Sequence, residues 1–193
     1  YFYNIFVNHT NEKLSLYQIE KVLANDDLIQ FKSLVQNYNI HSANYSITIQ
    51  NQNTLPNDNL TLLHIAAYYN ALDCFRYLQL TRKIPLRMKS ASSYYPLHYS
   101  CLSGSSEISL YILSQDPDQA THIIQGGGQQ QVIYCSIIGG NPEILEALFK
   151  SGATLNQYIY DQNDYIKKAI SLHNIEILKI LYKHYKDDCK QTN

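Results

Sequence analysis

The chain has 193 residues, 15 Lys and Arg against 16 Asp and Glu, a formal net charge of −1 and a hydrophobic fraction of 45%. That balance removes the electrostatic reason to expect nucleic acid or an anionic membrane surface as partner, while the apolar content suffices for a continuous buried core. No window approaches the roughly 18 unbroken apolar residues of a membrane helix. The apolar run at 1–7 is broken by Asn4 and follows no basic residue, so it does not read as a signal peptide.

The sequence opens on Tyr1 and its single methionine is Met88, which reads as a stretch within a longer polypeptide. The four cysteines (Cys74, Cys101, Cys135, Cys189) are too far apart for a C-x-x-C metal or redox motif. Each lies in an apolar helical pattern, where a free thiol acts as a small hydrophobe. A reducing, cytoplasmic location is the expectation.

In chain order, the first predicted elements are helices over 14–24 and 27–38, the second with Leu28, Phe31, Leu34 and Val35 on one face. Asp26 and Asp27 stand at its start, where Asp caps a helix and complements its dipole. Residues 38–56 are rich in Asn and Gln and read as a surface loop with a short strand at 45–49. Two alike segments follow, Thr61-Leu62-Leu63-His64-Ile65-Ala66-Ala67 and Tyr95-Pro96-Leu97-His98-Tyr99-Ser100-Cys101, with a histidine at the same place in each. After the second, Gly104-Ser105-Ser106-Glu107-Ile108 leads into Leu110, Ile112 and Leu113, and Asp116-Pro117-Asp118 reads as a turn.

The later elements repeat this pattern. Gly140-Asn141-Pro142-Glu143-Ile144-Leu145 leads into Ala147, Leu148 and Phe149, then Lys150-Ser151-Gly152-Ala153. Asn141 suits an N-cap, Pro142 the first helical position, and Glu143 the positive end of the dipole. Ile144, Leu145, Leu148 and Phe149 share one face at 3.6 residues per turn, and Gly152 suits the left-handed residue after a helix end. A further copy is His173-Asn174-Ile175-Glu176-Ile177-Leu178 with Ile180 and Leu181. The interval from Glu143 to Glu176 nearly equals that from His64 to His98, so one period runs through both halves of the pattern.

These segments resemble the T-P-L-H-x-A start and the G-H-x-E-I-V-x-x-L-L-x-x-G-A second half of ankyrin repeats, whose period is about 33 residues. The resemblance implies an all-α solenoid of stacked helix-turn-helix units with hairpin-like fingers. It divides the chain into an N-terminal segment at 1–56 and four repeats at 57–90, 91–126, 127–159 and 160–193. Repeat three has Gln131-Val132-Ile133-Tyr134 and repeat four Asp164-Tyr165-Ile166-Lys167 in place of T-P-L-H. The wealth of Asn, Gln, Ile and Tyr is similar to divergent ankyrin proteins of protists and of some intracellular bacteria.

Catalysis, cofactor and metal find no support. Equivalent helices in neighbouring repeats lie about 8–10 Å apart, so His64 and His98 cannot share an ion whose bonds to nitrogen are about 2 Å. The family likeness implies that this histidine ties the start of its helix to its neighbours. Gly126-Gly127-Gly128-Gln129-Gln130-Gln131 lacks the Lys-Ser/Thr of a phosphate loop and reads as a flexible finger. No serine sits in a nucleophile motif.

What the family likeness leaves is a concave groove for a protein partner, lined by fingers and by the open side of each first helix. The register assigns it Asn57, Asp58, Leu60, Tyr68 and Tyr69 from repeat one, and Ser92, Tyr94, Leu102 and Ser103 from repeat two. Repeat three adds Gln130 and Ile138, and repeat four Asp161, Asn163 and Leu172. Tyrosine is enriched at binding hot spots, which singles out Tyr68, Tyr69 and Tyr94; the alternative is that these rings pack between repeats. The expected function is non-catalytic protein–protein interaction. Two other readings stay open: a scaffold segment of a cytoskeletal or flagellar assembly, and a regulatory part of a larger enzyme.

Overall fold

Helices of five to ten residues are unstable alone in water and persist by burying one face against neighbours. The computed structural model describes residues 16–37, 47–49, 58–121, 132–155 and 162–191. Among them the helices come in twos across short turns: α1 (Leu16–Ala24) and α2 (Leu28–Asn37), α3 (Leu62–Tyr68) and α4 (Leu72–Arg76), α5 (Pro96–Ser103) and α6 (Ser106–Gln115). The series continues with α7 (Val132–Gly139) and α8 (Pro142–Lys150), then α9 (Gln162–Ser171) and α10 (Ile175–Gln191). A π-helical turn at Tyr77–Thr81 extends α4, and a 3-10 turn at Pro117–Thr121 follows α6, where the Asp-Pro-Asp sequence predicts a turn.

The chain divides into two compact units, 1–100 and 101–193, the division falling inside α5. In the first, Leu23, Phe31, Leu63, Ile65, Phe75 and Tyr99 form the core at 0–1% exposure. In the second, Ile112, Ile137, Ile144, Leu145, Leu148 and Ile177 are buried as fully. Burying each such side chain contributes about 1.5–3 kcal/mol, which offsets the conformational entropy of so many short elements.

A two-stranded antiparallel sheet pairs β1 (Ile47–Ile49) with β2 (Asp58–Leu60), Ile47 opposite Leu60. The first strand falls inside the expected 45–49. Its partner has no signal in the sequence, because Asp-Asn-Leu has little strand propensity and gains its extended form from the pairing.

Every turn between paired helices uses one left-handed residue two positions before the second helix. These are Asp26, Asn70, Gly104, Gly140 and His173, with φ between 46° and 72°. Glycine adopts that region most freely, and Asp, Asn and His are among the other side chains that tolerate it best. The approach is tightest at Gly139, where an added Cβ would lie 2.0 Å from the Cys101 carbonyl oxygen. No other residue fits that position.

The residue after each left-handed turn faces the free N–H groups of the next helix. In the second unit asparagine uses both ends of its amide there. Asn141 accepts the Glu143 N–H at 3.0 Å through its oxygen and donates to the Gly104 carbonyl at 3.1 Å through its nitrogen. Asn174 accepts the Ile177 N–H at 3.0 Å and donates to the Gly140 carbonyl at 2.8 Å. Each amide therefore caps its own helix and ties its turn to the one before. As the sequence implies, Pro142 opens α8 and Gly152, at φ 93°, follows its end.

In the first unit the tie runs the other way. Asp27 accepts the Gln30 N–H and caps α2 as expected, but the Asp26 carboxylate reaches instead to the Asp73 and Cys74 N–H groups at 2.9 and 3.0 Å. It supplies α4 with the cap that Ala71 has no side-chain oxygen to make.

Separating the two halves of the amide tests this account. Asn174→Asp keeps the cap but loses the donor, and should cost about 1 kcal/mol by urea unfolding; Asn174→Ala loses both and should cost about 2 kcal/mol. No cost for Asn174→Asp would mean that the bond between turns contributes nothing, and equal costs for the two variants that the cap contributes nothing.

Candidate binding surface

The first helix of each pair begins at a polar anchor. Thr61 precedes α3, and the His64 ring turns back on it: Nδ1 accepts from the Thr61 backbone N–H at 3.2 Å and lies 2.8 Å from Oγ1. The other ring nitrogen, Nε2, stands 3.1 Å from both the Met88 and Tyr94 carbonyls. Two carbonyl oxygens require a donor, so the proton sits on Nε2 and Nδ1 is the acceptor. His64 is 0% exposed, with Tyr99 edge-on at 5.2 Å. His98 repeats the inner half of this arrangement, its Nδ1 accepting from the Tyr95 N–H at 3.1 Å. His64 thus holds backbone with both ring nitrogens and His98 with Nδ1, in keeping with the tie that the family likeness implied.

The expected groove residues separate into three groups. Leu60 and Tyr94 are core: they are 1% and 8% exposed, and the Tyr94 ring packs edge-on against His98 and Tyr99. For Tyr94 the packing alternative holds, because its N–H bonds the Ser90 hydroxyl and its carbonyl accepts from Ser90 and His64, which fixes the ring inward. Tyr68, Tyr69, Leu102, Ser103 and Ile138 are half-buried, while Ser92 and Leu172 are exposed. Asn57, Gln130 and Asp161 lie outside the described residues, as does the triple glycine at 126–128; Asp58 and Asn163 are placed only as backbone, in β2 and α9.

Three of the half-buried residues occupy one repeat position. Tyr68, Leu102 and Ile138 follow one another at nearly equal intervals, each at or near the end of a first helix. Tyr68 stands edge-on to Tyr69, with ring centres 5.5 Å apart. Tyr69 in turn donates its hydroxyl to the Glu20 carboxylate of α1. Burial raises the Glu20 pKa above the ordinary carboxylate range, and the Tyr69 hydrogen bond offsets only part of that. Sequence reasoning gives no sign of the Glu20 contact or of the Asp26 cap, since both reach across to the next helix pair.

Three of the four cysteines are packed away. Cys74, Cys101 and Cys135 are buried thiols. Burial pushes the Cys74 and Cys135 thiols well up, and raises the Tyr165 hydroxyl to about 12. Among the described residues no group of three or more His, Cys, Asp or Glu could hold a metal ion, and no helix is long and apolar enough to cross a membrane. A thiolate nucleophile needs the opposite environment from the one found at Cys74 and Cys135.

Two substitutions test the anchor and the carboxylate. His64→Ala leaves two carbonyls and one N–H buried without their ring, and should lower stability by about 3 kcal/mol in urea unfolding; a loss below about 1 kcal/mol would remove His64 from the framework. Glu20→Gln keeps an acceptor for Tyr69 and removes the charge that burial disfavours. A carboxyl whose folded pKa is raised loses stability as pH climbs through the interval between its ordinary and raised values. Glu20→Gln should therefore melt at or above the wild-type temperature at pH 7, with its advantage shrinking as pH falls towards 4. A variant that melts lower at pH 7 than at pH 4, relative to wild type, contradicts this.

A family model for ankyrin repeats (three copies) matches residues 25–123, and one described as a domain of unknown function (DUF3447) matches residues 128–193. No curated protein matches the chain. The first match spans half of the sequence and takes in α2 through the turn after α6, including both T-P-L-H-like helix starts and their buried histidines. Ankyrin repeats generally serve as protein-interaction modules and are typically non-catalytic. On the match, the repeating turns and the histidine anchors, the chain belongs to the ankyrin-repeat family.

Proposed function

We propose that this protein is a binding module that engages a protein partner through the ends of its first helices, without catalysing a reaction. The observation that carries the reading is the repeat position held by Tyr68, Leu102 and Ile138. Each is large and apolar or aromatic, each is half-buried, and each recurs at one place in successive repeats. A core position would be closed and a purely solvated one would favour polar residues; half-exposed apolar side chains at this repeat position, Tyr68 in the first unit and Leu102 and Ile138 in the second, each suit contact with a partner. Ser103, next to Leu102, and exposed Leu172, which follows the end of α9, are further candidates of the same kind.

Capture by chemical crosslinking to the full chain, from lysate of the source cells, tests this. Tyr68→Ala, Leu102→Lys and Ile138→Lys should each cut recovery of the crosslinked proteins at least about tenfold, with helical circular dichroism unchanged. Undiminished recovery with all three variants would sink the first-helix reading.

A further inference from the structure

The end of α4 and the finger after it depart from the later copies of the repeat. Leu80 lies two residues after the buried Leu78 and is 63% exposed. Two residues after the matching buried positions, Ile112, Leu148 and Leu181, stand Ser114, Lys150 and Lys183, all exposed and all polar. The repeat thus turns this position to water, and α4 differs from α6, α8 and α10 in filling it with a large apolar side chain.

The way the helix closes differs as well. After α8 the Ala153 N–H bonds the Leu148 carbonyl at 3.0 Å across left-handed Gly152. After α4 the π-helical turn lengthens this closure by one residue, and the Ile84 N–H bonds the Leu78 carbonyl at 3.2 Å across left-handed Lys83, at φ 56°. A side chain with a Cβ is disfavoured in that conformation relative to glycine. Folding therefore gains nothing from a lysine at this place.

Lys83 belongs to a run of one sign. Arg82, Lys83, Arg87 and Lys89 share the finger, and no acidic residue occurs between Asp73 and Glu107. Lys83, Arg87 and Lys89 are exposed, and a turn closed by the Met88 N–H on the Pro85 carbonyl at 3.0 Å carries the chain through the last two. The matching stretch after α6, 116–131, has two aspartates and no lysine or arginine, so the charge is no property of the repeat. A face that only meets water mixes both signs, because neighbouring like charges repel.

We propose that this finger is an interaction surface for an acidic segment of a partner protein. One apolar side chain of that segment covers Leu80, and its carboxylates meet Lys83, Arg87 and Lys89. Charge complementarity selects an acidic occupant. Leu80 favours a polypeptide, which sets apolar and acidic side chains next to each other, over a nucleic-acid backbone, which presents a row of charges. An anionic membrane would need more inserted apolar area than one leucine supplies. The contact is separate from the first-helix ends and does not depend on them.

Fluorescence anisotropy on the full 193-residue chain tests this with a labelled peptide in which glutamates flank a leucine on both sides, and with its glutamine counterpart. The glutamate peptide should bind saturably, at least about tenfold more tightly than the glutamine one, and lose affinity as salt is raised. Leu80→Ser and Lys83→Gly each introduce what a later copy carries at that place, so both should fold normally. Each should weaken the glutamate peptide about fivefold or more, with the Lys83→Gly melt at or above wild type. Lys150→Gln, at an exposed lysine of α8, should leave binding unchanged. Equal affinity for the two peptides or affinity indifferent to Leu80→Ser or Lys83→Gly would overturn the proposal. So would tighter binding of a single-stranded oligonucleotide or of phosphatidylserine vesicles than of the glutamate peptide.

Discussion

The side-chain-to-backbone bond between successive turns is the constraint on which the rest of this structure depends. A helix of five to ten residues has more unsatisfied end groups than internal bonds. Stacking such helices would bury those ends, and a buried unpaired N–H or carbonyl costs about 1–3 kcal/mol. Asn141 and Asn174 answer both needs with one amide each, while the Asp26 carboxylate, an acceptor only, meets the N–H groups at the start of α4. With the turns in register, backbone can approach as closely as at Gly139.

The histidine anchors play the matching part at the other end of the first helices. His64 joins the start of α3 to the loop that leads into α5, using a ring whose two nitrogens need opposite roles. A lysine could only donate and a carboxylate could only accept. This explains in physical terms why a chemically versatile residue is buried in the framework.

Much of this was legible in the sequence because it is local. Caps, the proline at a first helical position, the glycine after a helix and the 3.6-residue apolar faces all act within a few residues, so Asn141, Pro142, Gly152 and the Ile144 face could be read directly. What could not be read was long-range. Asp26 looks like a cap for its own helix and serves another, and Glu20 meets Tyr69 only once the helices are stacked. The tyrosines show the same limit in the candidate surface. Tyr68 and Tyr94 look equally suited to a groove, but Tyr94 is turned inward by the bonds around Ser90, which residue type alone does not reveal.

The buried thiols have a practical meaning. Cys74 lies in the first unit and Cys135 in the second, and burial holds both in the unreactive protonated form. An alkylating reagent reaches either one only when the surrounding helices open, so the rate of labelling at each sulfur measures how often that part of the chain comes apart. With Cys101, also buried in the second unit, the protein thus contains native clocks for local unfolding in both units that can be read residue by residue with a mass spectrometer and no engineered probe.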